Sequence, residues 1–187
     1  MSNCLDQYFP CANHEYSNFD KIAQMELRNA PSASQIVNES AFCTVLAIDT
    51  ALQLDDITYK DFLKGLRGKN GLYHLWVDYD NCDEHDTHTM LGVYVGKGMA
   101  EGRVLAHIKE KWPSEQLLYV GFYECSNRIA KYFEQLFLDN YKFYLNKNEN
   151  HGTESLFAVW SHERHLLGTE LHSVSNLSRI ASLDDLN

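Results

Sequence analysis

Positive charge is scarce in this chain: 16 Lys and Arg stand against 26 Asp and Glu, a formal net charge of −10 over 187 residues. The deficit is spread evenly. Residues 1–70 carry 6 basic and 9 acidic side chains, residues 71–150 carry 8 and 12, and residues 151–187 carry 2 and 5. No segment is therefore a basic tail of the kind that grips phosphate backbones. Long apolar runs are missing as well, and none reaches the roughly 18 residues that a membrane-spanning helix needs. The opening residues, MSNCLDQYFPCANHEYSNFD, have no basic region and no apolar stretch, so no secretory signal is expected. Proline is rare, with Pro10 and Pro31 the only two before Pro113. The cysteines (Cys4, Cys11, Cys43, Cys82 and Cys125) are odd in number and lack the paired C-x2-C spacing of zinc modules. Cys43 and Cys125 sit among apolar neighbours and read as buried thiols. A cytoplasmic, reducing compartment is expected, with signal-independent secretion left open.

What is present is enough for a core. Hydrophobic residues make up 44% and aromatics 12%, which excludes a wholly disordered chain. Residues 1–33 read as an irregular arm with one short helix near Phe19 to Leu27. Apolar residues from Ile36 to Leu54 recur at near-helical spacing and predict a helix over 34–54. Thr58 and Asp61 resemble a capping pair that opens a second helix over 57–66, closed by Gly68. At Gly71 the period changes to that of strands. Strands are expected over 71–77 and 89–95, with a polar loop over 78–88 between them. A helix over 98–112, a strand over 116–125, a helix over 127–144, a turn over 147–152 and a helix over 153–172 follow. The domain reading is a helical N-terminal extension (1–70), a β-β-α-β-α core (71–150), and a C-terminal helix and tail (151–187) packed on it.

Seven positions in the core form a pattern. Tyr73 closes Gly71-Leu72-Tyr73, and Tyr94 opens Tyr94-Val95-Gly96 with Lys97 behind it. Arg103 and His107 are four apart and share one face of the following helix. Glu134 lies on the next long helix, and Asn146 follows twelve positions later. Taken singly, each has an ordinary structural explanation: packing tyrosines, a solvated helix face, a surface acid, a turn residue. Together and in this order they resemble the GIY-YIG nuclease family. A second register is present in Gly92-Val93-Tyr94 and Tyr119-Val120-Gly121. It offers Arg128, but Tyr132 where His is wanted, Glu163 as the acid and Ser175 in place of Asn. The first register satisfies every position.

The resemblance implies an α+β fold: a GIY-YIG-like core with a small antiparallel sheet flanked by helices. It implies a divalent-metal-dependent endonuclease that hydrolyses phosphodiester bonds, of DNA ahead of RNA. Glu134 would be the single metal ligand, for Mg2+ with Mn2+ as substitute. Arg103 would neutralise transition-state charge, Tyr73 would be the general base, and Tyr94 would orient water or phosphate. Lys97, His107 and the cation would help Tyr73 lose its proton, with His107 either relaying a proton or contacting phosphate, and Asn146 would hold Glu134 or the hydrogen-bond network around it. The acidic balance predicts weak, salt-sensitive nucleic-acid binding, or a protein partner that delivers substrate through the acidic surface or the N-terminal extension. No membrane partner is expected. The competing expectation is a catalytically weak or inactive GIY-YIG fold that serves as a protein-interaction module.

Two features lie outside the pattern. The tyrosines are 21 residues apart, and the intervening loop carries Asp78, Asp80, Asp83, Glu84 and Asp86. Acids beside a catalytic face would repel a phosphate backbone. Cys82, His85 and His88 are soft ligand types in the same loop, but without a fourth partner they read as solvated loop residues. His162 and His165, one turn apart with no evident third ligand, read as surface residues.

Overall fold

The computed structural model describes residue 4 and residues 14–40, 42–48, 58–112 and 117–167. Helix α1 (Ser17–Glu26) forms where the arm was expected to be helical, and it buries Phe19 and Ala23. Helix α2 (Ala33–Val37) starts at a capping box in which Ser32 and Gln35 satisfy each other's backbone N–H groups. It stops after five residues. The helix expected over 34–54 does not continue past Val37: Phe42–Leu46 is a strand, β1, buried at four of its five positions, and residues 49–54 of that expectation lie outside the described residues. A short apolar run with both faces covered has no alternation, so its 3–4 spacing to Ile36 and Val37 imitates a helix. Helix α3 (Tyr59–Leu63) opens on the expected capping box of Thr58 and Asp61. A 3-10 turn, Lys64–Leu66, extends it to Gly68, where φ is +74°.

The central feature is a long hairpin, β2 (Asn70–Cys82) and β3 (Thr87–Met99), joined by the four residues 83–86 with Asp86 at φ +51°. Here the structure corrects the expected polar loop over 78–88. Asp78, Asp80, Asn81 and Cys82 pair with Met90, Thr89, His88 and Thr87 across the ladder. Polar side chains persist in these strands because that end of the hairpin is largely solvated, and pairing does not require apolar faces. Helix α4 (Ala100–Lys111) follows, then β4 (Leu118–Glu124) and α5 (Asn127–Asn140). Pro113, expected to close α4, lies outside the described residues. Helix α5 ends four residues earlier than expected, because Tyr141–Lys142 (β5) pairs in parallel with Glu154–Ser155 (β6). The helix expected over 153–172 forms only in part: β6 and β7 (Phe157–Ser161) occupy its first half, and a short helix, α6 (His162–Leu167), follows. Residues 168–172 of that expectation, and Cys11, lie outside the described residues.

The fold is α+β. Strands β1, β4, β2, β3 and β7, in that order, form one antiparallel sheet. Strands from residues before 71 and after 150 thus complete the sheet that the hairpin begins. Period-2 alternation divides β2 between two cores. Leu72 and Trp76 join Phe19, Phe133 and Phe137 on the side of α1 and α5. Tyr73 and Leu75 join Leu63, Val104 and Ile108 on the side of α3 and α4. No helix among the described residues is long and apolar enough to cross a membrane.

Candidate functional site

Strand β7 pairs with β3 only from Thr87 to Leu91. Beyond that point, the half of β3 that carries Tyr94 and Lys97 has a free side, and there the two faces of the sheet meet. Asn146 covers part of it. Its Oδ1 accepts the Val95 N–H at 3.0 Å and its Nδ2 donates to the Val95 carbonyl at 2.9 Å, while Leu145 N–H donates to Val93 O at 2.9 Å. Asn146 therefore braces the strand backbone between Tyr94 and Gly96.

On the α4 side, Tyr73 is fully buried and stacks on Tyr94 with ring centroids 6.0 Å apart. Gly96 sits opposite Tyr73 across the ladder. A Cβ there would come within 2.5 Å of the Tyr73 hydroxyl and 2.8 Å of the Tyr94 ring, so a bare backbone is what lets both phenols lie where they do. The Tyr73 hydroxyl is 3.2 Å from His107 Nε2, and the His107 ring is 4.3 Å from that of Tyr94. Helix α4 delivers His107 because Ala100, Val104 and Ile108 face the core at i, i+4 and i+8. That orientation sets Arg103 and His107 along the adjacent flank. Gly98, at φ +104°, turns the chain into α4, and Arg103 folds back over it: a Cβ on Gly98 would lie 3.3 Å from Arg103 Nε.

One cation in this cluster was not singled out in the sequence. Lys111 Nζ lies 4.9 Å from the centroid of the Tyr94 ring. It continues the spacing of Arg103 and His107 by four more residues, and that i, i+4, i+8 row was the available signal.

From the other face, α5 brings Glu134, which forms an ion pair with Lys97. Both are partly shielded, with side-chain exposures of 18% and 29%. Glu134 is close enough to act on both tyrosines. Burial pushes the Tyr73 phenol well above its usual range; Tyr94 and Glu134 push the same way, and Arg103 opposes them. Tyr94 is raised for the same leading reason. His107 is lowered by burial, then by Lys111 and Arg103, with Glu110 opposing. At neutral pH the cluster thus holds two neutral phenols beside a neutral imidazole, flanked by Arg103, Lys111 and the Lys97–Glu134 pair. Such a group can accept a proton and can neutralise an anion.

The acidic hairpin residues stand elsewhere. Nine residues of strand separate Tyr73 from Cys82, about 30 Å at the usual strand rise. Asp80, Asp83, Glu84 and Asp86 are at or near that far end, not beside the phenols. His165, expected on the surface, is buried: it stacks on His88 with centroids 3.5 Å apart, and its Nε2 is 2.9 Å from Asp78 Oδ2. Two groups among the described residues could hold a metal ion, Cys4–Cys82–His85 and Asp78–His88–His165. Neither includes Glu134.

No family model, no curated protein and no solved structure matches this chain.

Proposed function

We propose that the chain is a divalent-metal-dependent endonuclease of the GIY-YIG type, cleaving phosphodiester bonds of DNA. What carries the reading is the convergence of Tyr73, Tyr94, Arg103, His107, Lys97 and Glu134, from two strands and two helices, around one end of β3. The resemblance of Gly71-Leu-Tyr73 and Tyr94-Val-Gly96 to the family's paired tripeptides supports it from the sequence side.

The residues fit a magnesium ion of modest affinity. Glu134 offers one partly shielded carboxylate, which suits an ion that keeps most of its waters and takes the rest of its ligands from substrate phosphate. Bound there, Mg2+, or Mn2+ in its place, supplies Lewis-acid neutralisation at the phosphoryl and leaving 3′ oxygens. Lys97 neutralises Glu134 in this structure, and Glu134 is the residue that would hold the ion.

The chain's own groups do the rest. Arg103 and Lys111 hold the phosphate and offset the charge that grows in the transition state. Tyr73 is too strongly held in its neutral form to be a base by itself. Tyr73 is fully buried in this structure, so substrate binding must open a path for one water to its hydroxyl. That water passes its proton to the phenol oxygen while the Tyr73 proton moves to His107 Nε2, 3.2 Å away. The hydroxide attacks phosphorus as the bond to the 3′ oxygen breaks. The departing 3′ oxygen takes a proton from solvent, and the imidazolium left at His107 returns its proton to solvent, which restores the resting state. Tyr94 fixes the direction of the Tyr73 hydroxyl.

Nicking of supercoiled plasmid at low salt, with Mg2+ or Mn2+, tests the proposal against Glu134→Ala and Arg103→Ala. Cleavage by the wild type and not by the variants is expected. Equal cleavage by all three would refute the assignment, and folded wild type that cleaves no DNA would favour an interaction module.

A further inference from the structure

We propose that Cys4, Cys82 and His85 bind a zinc ion that fastens Cys4 to the tip of the β2–β3 hairpin. Cys4 Sγ is 3.0 Å and Cys82 Sγ 3.5 Å from the same atom, His85 Nδ1. All three donor atoms lie within 4.8 Å of one another. A tetrahedral zinc with its usual bond lengths sets sulfur and nitrogen ligands about 3.5 Å apart. Cys82 and His85 are already at that spacing and Cys4 is half an ångström inside it, and two thiols with one imidazole are the soft donor set that selects zinc.

Burial points the same way. Cys82 is 4% exposed and Cys4 2%, although residues 83–86 around them are exposed. Among the described residues the two thiols pack against each other, and a shared metal ion would tie them together directly. Cys82 ends β2 and His85 is the third residue of the four-residue turn that follows, so two ligands come from one corner of the hairpin. Glu84 Oε2 accepts the Cys4 N–H at 3.2 Å and orients the third ligand from outside the donor set. Binding releases the two thiol protons, and two thiolates with a neutral His85 leave the Zn2+ site uncharged.

The histidine cluster is a poorer home for the same ion. The rings of His88 and His165 are parallel within 4° at a 3.5 Å separation. Lone pairs in two stacked planes run side by side and do not converge on one point.

The full chain, loaded with zinc and dialysed into metal-free buffer, is expected to retain one zinc per molecule by mass spectrometry of its metal content. Cys82→Ser and His85→Ala are expected to lose it, and His88→Gln to keep it. Cobalt substituted into wild type is expected to show thiolate-to-metal charge-transfer absorption, a readout that does not depend on any variant folding. Chelation is expected to lower the melting temperature of wild type and leave that of Cys82→Ser unchanged. Zinc-free wild type after loading, bound cobalt without the thiolate band, or a Cys4–Cys82 disulfide in the reduced preparation would each overturn the proposal. Zinc kept by Cys82→Ser and lost by His88→Gln would do so by moving the site to the histidine cluster. None of these readouts uses nuclease activity.

Discussion

The Tyr73 hydroxyl meets His107 Nε2 at 3.2 Å, linking the first strand of the hairpin to the flank of α4. Burial raises the phenol and lowers the imidazole, so the proton stays on Tyr73 until water supplies another. A neutral His107 is needed for turnover. Because its folded pKa lies below the ordinary histidine value near ~6.5, protonation disables the site only as pH falls below that value. The nicking rate of wild type is expected to hold level from neutral pH upward and to decline on the acid side. His107→Gln should lower the rate by about 10²–10⁴-fold and flatten the acid limb. An acid limb of unchanged shape in the variant would remove His107 from the proton path.

Lys97 and Glu134 make an ion pair between β3 and α5. If the metal competes with Lys97 for the carboxylate, removing the ammonium should tighten metal binding. Lys97→Met is expected to lower the Mg2+ concentration for half-maximal nicking several-fold, while Glu134→Gln abolishes the response to metal. A metal titration of plasmid nicking reads both. A higher Mg2+ requirement in Lys97→Met would mean that Lys97 positions Glu134 for the ion and does not compete with it.

Gly96 is the point at which both phenols touch the backbone. Gly96→Ala puts a methyl 2.5 Å from the Tyr73 hydroxyl and 2.6 Å from its ring carbon. The ring is buried and cannot swing clear, so the strain is expected to cost about 1–3 kcal/mol and to break the Tyr73–His107 contact. The variant should remain folded, melt lower and lose most of its activity. Circular dichroism with the nicking assay checks both, and full activity would show that the phenols tolerate displacement.

Legibility followed the strength of each local pattern. Helices α1, α4 and α5 and the buried halves of β2, β3 and β4 have clear periods, and their positions in the sequence predicted them. Strand β1 was misread because burial on both faces erased its alternation. Strand β7 reads as part of a helix because Leu156 and Trp160, both buried, are four residues apart, an interval a helix also satisfies. The far half of the hairpin was read as a loop because its side chains are polar, whereas what holds it is the backbone ladder. Site residues on one element, such as Arg103 and His107, could be paired from their spacing. Partners far apart in sequence could not: His165 with Asp78, or Cys4 with His85, meet only through the fold. The role of Asn146 was unreadable for a related reason, since it answers the Val95 backbone, which leaves no mark in the sequence.

That bond has a measurable weight. Asn146→Ala leaves the Val95 N–H and carbonyl without their side-chain partners at a partly buried position, a loss of about 1–3 kcal/mol. Asn146→Asp keeps the acceptor for the N–H and loses the donor to the carbonyl, so it should fall between wild type and Ala. Urea unfolding gives the order. Equal midpoints for all three would mean that water replaces the side chain without cost.

His74 supplies a pH dependence separate from the candidate site. It lies on β2 with its ring edge-on to Phe137 at 4.7 Å and beside Trp76 at 5.3 Å, and burial lowers its pKa to about 3. Above the unfolded value near ~6.5, His74 is neutral in both states and contributes no slope. Between that value and about 3, the unfolded chain takes up a proton that the native chain refuses, so stability falls as pH falls. The slope from this one group approaches about 1.4 kcal/mol per pH unit, and it vanishes again once the native state also protonates. His14, His107 and His165 are lowered as well and act in the same direction, so total acid sensitivity cannot isolate His74. The difference between wild type and His74→Phe can, because the aromatic replacement keeps the stacking and removes the titration. Melting curves from pH 4 to 8 should show the variant losing less stability on acidification than wild type. Parallel curves would mean that His74 protonates in the native state near its ordinary value, which would require water to reach a side chain that is 2% exposed.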